Sequence, residues 1–150
     1  MNLTEIPETM TWPATHYVFV EKVGPFMTNA GAAWNAAHSL VPALSERNEV
    51  VGYTSLYKMG PQIYRAGFAL DAAPVDLPAG LSYELFPGGK YARFLLTGPY
   101  ADLPQASGRV WEIAKGSLEL RDDFAIENYL NDPRVTPEGQ LKTEILVPLA

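Results

Sequence analysis

The sequence predicts an α+β fold. It is built from two βαββ modules related by a pseudo-twofold, with antiparallel sheet, helices packed on one side and a ligand groove between the modules. Three observations carry this reading. The pattern Tyr-x6-Gly-Pro-aromatic occurs twice, as Tyr17 with Gly24-Pro25-Phe26 and as Tyr91 with Gly98-Pro99-Tyr100. Each copy runs into a stretch of helical apolar spacing that carries a tryptophan, Trp34 or Trp111. Each helical stretch is followed by two runs that read as strands around a proline-bearing turn. A chain made of two copies of one unit has a natural cleft for a small molecule where the copies meet.

Residues 1–13, broken by Pro7 and Pro13, are expected to be an irregular lead-in. Residues 14–150 are expected to form a single domain, with module one over 15–73 and module two over 82–148. In module one, residues 15–23 (THYVFVEKV) are β-branched and aromatic and read as a strand that Gly24-Pro25 ends. Thr28 or Asn29 is placed to cap a helix over 29–46. Its stripe is Ala33, Trp34, Ala37, Leu40, Val41 and Leu44, with Pro42 as a kink or last turn. Residues 50–59 and 62–72 read as strands around Gly60-Pro61.

A short connection over 74–80 leads to module two. A strand near 82–86, a tight turn at Pro87-Gly88-Gly89 and a strand over 90–97 open it. Asp102-Leu103-Pro104-Gln105 has the composition of a helix start, with a capping carboxylate and proline in the first turn. That helix is expected to reach residue 118, with Leu103, Ser107, Val110, Trp111, Ala114 and Leu118 on one side. Strands over 123–130 and 140–148 close the domain.

Composition narrows function by exclusion. The chain has 150 residues, 19% of them charged, and a net charge of −6. An acidic balance argues against direct nucleic-acid binding, which needs a basic stripe. Cysteine is absent, so disulfides and thiolate metal sites are ruled out. No H-E-x-x-H motif or clustered His/Asp set points to a metal, and no Walker or G-x-G-x-x-G loop points to a nucleotide, so no cofactor is expected. The first residues, Met1-Asn2-Leu3-Thr4-Glu5, lack the basic and apolar regions of a signal peptide, and no membrane span is expected. The expectation is a cytoplasmic protein without membrane contact.

The candidate site comes from aligning the later strands. Setting Pro61 against Pro133 places Tyr57 opposite Tyr129 and Ser55 opposite Glu127. Alternate strand residues share a face, so Glu127 and Tyr129 point the same way, as do Tyr53, Ser55, Tyr57 and Met59. Phe124, Ile126 and Leu130 are expected on the opposite face, packed against helices. The two polar faces would line the groove with tyrosines, a small hydroxyl and one carboxylate. Phe26 and Tyr100, just after the Gly-Pro turns, are rim candidates. Trp34 and Trp111 lie on helical apolar faces, where core packing competes with ligand stacking.

The repeated strand-Gly-Pro-aromatic-helix pattern, the run Ile126-Glu127-Asn128-Tyr129-Leu130-Asn131-Asp132-Pro133 and the ending Thr143-Glu144-Ile145-Leu146-Val147-Pro148-Leu149 resemble the GyrI-like small-molecule-binding domain. That family includes effector-binding domains of AraC-type and MerR-type regulators and gyrase-inhibitory proteins. The resemblance covers residues 14–149. It implies a groove glutamate at Glu127 and a neighbouring aromatic at Tyr129. Many members carry a tyrosine where this chain has Leu146. No helix-turn-helix region accompanies the domain, so the chain resembles stand-alone members.

The leading functional reading is a binding module for an amphiphilic, aromatic small molecule, cationic forms included, in which tyrosines supply flat faces and Glu127 the anion. Two alternatives stay open. Some members of the family hydrolyse cyclopropane-bearing alkylating toxins, and Glu127 would then be the catalytic base. A protein partner, such as a regulator or gyrase, is the third reading.

Overall fold

The computed structural model describes residues Met1–Ala150. Eleven elements follow one another: β1 (Asn2–Leu3), β2 (Glu8–Trp12), β3 (Thr15–Val23), α1 (Phe26–Ser45), β4 (Val50–Lys58), β5 (Ile63–Leu70), β6 (Ser82–Phe86), β7 (Gly89–Thr97), α2 (Leu103–Ser117), β8 (Ala125–Tyr129) and β9 (Lys142–Pro148). Short 3-10 turns occupy Tyr100–Asp102 and Glu138–Gln140. The described strand pairings are antiparallel. The α+β class and the two β-α-β-β runs are as the sequence predicts.

The chain divides into two compact units, Pro13–Gly88 and Met1–Trp12 joined with Gly89–Ala150. In the first unit the strand order is β4-β5-β3-β6. In the second, β8, β9 and β7 follow in the same sense, and β2 and β1 both pair with β7. The registers repeat as well as the order. Tyr17 faces Ala69 as Tyr91 faces Pro148, and Tyr57 faces Tyr64 as Tyr129 faces Thr143. The two partners are five residues apart on β5 and again on β9. Both tyrosines of the sequence repeat are fully buried and satisfy their hydroxyls alike. Tyr17 donates to the Thr54 carbonyl and Tyr91 to the Phe124 carbonyl, each at 2.7 Å. A buried phenol needs such an acceptor, and burial drives both pKa values up.

Four expectations about the elements differ from the structure. Residues 1–13 are not irregular. Met10 and Trp12 alternate with polar residues, and β2 lies along β7 over five pairs from Glu8↔Arg93 to Trp12↔Gly89. The strand at 82–86 does not form a hairpin with 90–97. It pairs with β3, from Thr15↔Phe86 to Phe19↔Ser82, and so belongs to the first unit. Each unit therefore takes its outer strand from the segment just before the other unit's first core strand. The turn residues behave as a crossing point, with Gly88 and Gly89 both at positive φ.

Helix starts differ too. α1 begins at Phe26, three residues before the expected start, with Pro25 in the cap position and no side-chain cap. Proline fixes its own φ near the helical value, and Pro25 already leads the chain straight from β3 into the helix. Thr28 lies within the first turn and returns its hydroxyl to the Pro25 carbonyl. Asp102 takes a helical conformation inside the 3-10 turn and makes no cap bond, so the capping-box reading fails there. Pro104 does occupy the first turn, and Pro42 falls in the last turn of α1.

The second unit's core shows how the helix seats. Ala106, Val110 and Ala114 on α2 pack on Phe94 and Leu96 of β7 and Ile145 and Val147 of β9. Leu103, Trp111 and Leu118 flank this cluster, half-buried. In α1 the buried positions are Ala33, Ala37 and Leu44, the centre of the expected stripe.

Candidate functional site

β8 is short, and its pairing with β9 fixes which way its side chains look. Glu127 faces Ile145, and cross-strand partners share a face. Ile145 is in the cluster packed under α2. Glu127 and Tyr129 therefore look toward the helix of their own unit, reversing the expectation that Phe124, Ile126 and Leu130 would take that side. Ile126 is fully buried on the other face, whereas Leu130 is exposed. Alternation alone could not assign the sides, because both faces of this strand carry buried apolar residues. The reversal also places Leu146, the partner of Ile126, on the face away from Glu127. Its lack of a hydroxyl does not alter the carboxylate's surroundings.

The Glu127 carboxylate is held from two sides. Tyr129 donates its hydroxyl to Oε1 at 3.0 Å, and Ser107 on α2 donates to Oε2 at 3.3 Å. Tyr100, in the turn after Gly98-Pro99, meets Tyr129 edge to face with ring centroids 5.5 Å apart. Burial raises the Glu127 pKa, and the Tyr129 and Ser107 hydrogen bonds oppose that rise without cancelling it. Tyr100 is also shifted upward, first by burial and then by the Asp132 charge. The unit thus gathers a carboxylate, two tyrosines and a serine at one end of α2.

The first unit holds the counterpart without the charge. Ser55 is fully buried at the position matching Glu127. Trp34 Nε1 donates to Ser55 Oγ at 3.1 Å and to the Tyr64 hydroxyl at 2.9 Å, and those two hydroxyls lie 2.7 Å apart. Phe26 packs edge-on to Tyr57 at 5.8 Å and tilted against Tyr64 at 5.7 Å. Tyr53 stacks on Trp34 at 6.5 Å and meets Phe68 edge to face at 5.1 Å. Phe26 and Trp34 keep partial exposure while Tyr57 and Tyr64 are buried.

In both units a helix side chain thus donates to the matching strand residue: Trp34 to Ser55, and Ser107 to Glu127. The two tryptophans are not equivalent. Counted from the Gly-Pro pairs, Trp111 lies three residues further along than Trp34. Ser107 holds the donor role, and Trp111 flanks the core cluster. Of the expected site residues, Tyr100, Tyr129 and Glu127 come together in one unit, and Phe26, Trp34, Ser55 and Tyr57 in the other. Ser107 and Tyr64 belong with them and were not singled out. The hairpin register alone makes Tyr64 the partner of Tyr57, and Ser107 is hidden by its ordinary place in a helical stripe.

No helix is long and apolar enough to cross a membrane. No curated protein sequence matches the chain. Among solved structures, the C-terminal domain of EcmrR superposes with a TM-score of 0.80 at 13% identity, over 99% of this chain and 98% of that one. SAV2435 bound to tetraphenylphosphonium gives 0.71 at 13% identity, covering 96% and 93%. A hydrolase from Listeria innocua gives 0.63 at 13% identity, covering 98% and 93%. At such identities the likeness shows the fold alone. The sequence itself goes further, because a family model for the GyrI-like small molecule binding domain matches residues 7–150. That span takes in β2 as well as both β-α-β-β runs, and with the repeated strand order it makes the chain a member of the GyrI-like small-molecule-binding family.

Proposed function

We propose that this GyrI-like domain binds an amphiphilic, aromatic and positively charged small molecule, with Glu127 as the counter-charge. One observation carries the reading. Glu127 is half-buried among hydroxyls, its burial raises its pKa, and no cationic side chain is among the groups that shift it. A carboxylate in such surroundings is unfavourable in its charged form, and a ligand cation relieves that cost. Tyr129 and Tyr100 supply ring faces beside the charge, suited to cation–π contact. Phe26 and Trp34 are assigned to ligand contact as partly exposed rings, Tyr57 and Ser55 as the buried groups beneath them, and Trp111 as a flanking ring.

Tetraphenylphosphonium is a suitable probe, since SAV2435 binds it and it carries charge and four rings. A charge-assisted contact is worth roughly 1.5–3 kcal/mol, so Glu127→Gln is expected to weaken binding about tenfold or more by calorimetry. Unchanged affinity would remove Glu127 from the site.

The raised Glu127 pKa also favours a second reading, in which the carboxylate acts as general base on a strained electrophile. The same variant separates the two. A hydrolase would lose about 10²–10⁴ in turnover of a cyclopropane-bearing substrate. A binding module shows no turnover in the wild type.

A further inference from the structure

Thr143 is fully buried, and its hydroxyl oxygen has no hydrogen-bond partner. It is the cross-strand partner of Tyr129 and lies diagonally across from Glu127, on the same face of the β8–β9 pair. Such diagonal neighbours have Cα atoms about 7–8 Å apart, within reach of a long side chain such as that of glutamate. The matching position in the first unit is Tyr64, whose hydroxyl is engaged by Trp34 and Ser55. In the second unit the partners differ. Ser107 and Tyr129 both spend their hydroxyl hydrogens on Glu127, and no hydrogen-bonding group of the fold reaches Thr143 Oγ1. Buried hydroxyls without partners are costly, and one that persists calls for an account, a group held there from outside the chain being one.

We propose that Thr143 Oγ1 and the Glu127 carboxylate together form an inner polar site for one N–H or O–H group, taken up by the ammonium N–H of a protonated amine ligand. The inference rests on the assignment of Glu127 to cation binding and sharpens it. Both oxygens accept, so an ammonium hydrogen satisfies the site in a way that a quaternary cation cannot. Selectivity for protonated over quaternary amines follows from the same pair. Water has the same chemistry and is the alternative occupant.

The test uses the full chain and two probes of nearly equal shape and equal charge. They are (biphenyl-4-ylmethyl)dimethylammonium, with one N–H, and (biphenyl-4-ylmethyl)trimethylammonium, with none. Calorimetry is expected to show the dimethyl probe binding more tightly to the wild type. Thr143→Val, close to isosteric, should lower its affinity by roughly three- to tenfold, the worth of one hydrogen bond, and leave the trimethyl probe unchanged. Thr143→Ser should restore the preference, which a purely packing role would not do. Equal effects of Thr143→Val on both probes, or on neither, would overturn the proposal. A higher melting temperature in Thr143→Val with unaltered probe selectivity would assign the hydroxyl to water alone and equally overturn it. If Glu127→Gln leaves both probes unaffected, the assignment of Glu127 fails as well, and the two failures are thereby told apart.

Discussion

Glu127 shows how one residue can be costly to the fold and useful to the site. Ser55 occupies the matching position of the first unit and closes a neutral triangle with Trp34 and Tyr64. Glu127 places a carboxylate there, and burial lifts its pKa despite two donated hydrogen bonds. The sign for stability follows from that direction. The native state holds a proton in a range where the unfolded carboxyl, with pKa about 4.3, has lost it. Stability therefore falls as pH rises from the unfolded value through the raised native one, and stays lower above it. Glu127→Gln removes this loss while keeping the shape. A higher melting temperature is expected in the variant at neutral pH, with the advantage shrinking as the pH falls below the unfolded carboxyl range. Calorimetric melting across that range would show it, and a variant less stable at neutral pH would contradict it.

At the scale of elements, the two glycines worth comparing sit in very different surroundings. Gly67 lies on β5 against the Tyr17 strand, where an added Cβ would come within 2.3 Å of the Val18 carbonyl oxygen and 2.7 Å of the Tyr17 ring. Backbone cannot give way as a side chain can, and Tyr17 is pinned by its bond to the Thr54 carbonyl. Gly31 is inside α1 with nothing within 4 Å of where a Cβ would go. Gly67→Ala is expected to cost about 1–3 kcal/mol or more as overpacking. Gly31→Ala should gain roughly 0.5–1 kcal/mol from helix propensity. Urea unfolding of the pair measures both, and a tolerated Gly67→Ala would mean that β3 and β5 are less tightly seated than their register implies. The elements themselves were largely legible, since β-branched runs and apolar stripes are local signals. Their starts were not. Both expected caps failed because Pro25 and the turn at Tyr100–Asp102 carry the chain into the helices earlier than a polar cap would.

For the whole molecule, the exchange of outer strands is the feature with the widest consequence. β2 belongs to the second unit through its pairing with β7, and β6 to the first through β3. Glu8 adds an ion pair to Arg93, and Arg65 joins Glu84 of β6 as well as Glu21. Removing residues 1–12 should therefore uncover the edge of β7 and leave β3 covered. Hydrogen exchange is expected to quicken across Gly89–Thr97 far more than across Thr15–Val23, with a lower melting temperature. Equal loss of protection in both strands, or none, would show that β2 does not act as the second unit's outer strand.

The repeat in the sequence determined the two β-α-β-β runs and the pairing of Ser55 with Glu127 as matching positions. Those follow from local chemistry, namely Gly-Pro stops, period-two and helical spacing, and aromatic residues at fixed distances from the turns. Tertiary structure decided what local chemistry leaves degenerate. A strand with apolar residues on both faces does not announce which face meets a helix, so the side on which Glu127 lies came only from its pairing with Ile145 under α2. A short strand before a glycine turn pairs equally well in principle with either neighbour, and the pairing of β6 with β3 depends on which edge is open. Ser107 becomes a site residue only because the helix lays it over Glu127, a contact across twenty residues that no spacing rule in the chain encodes.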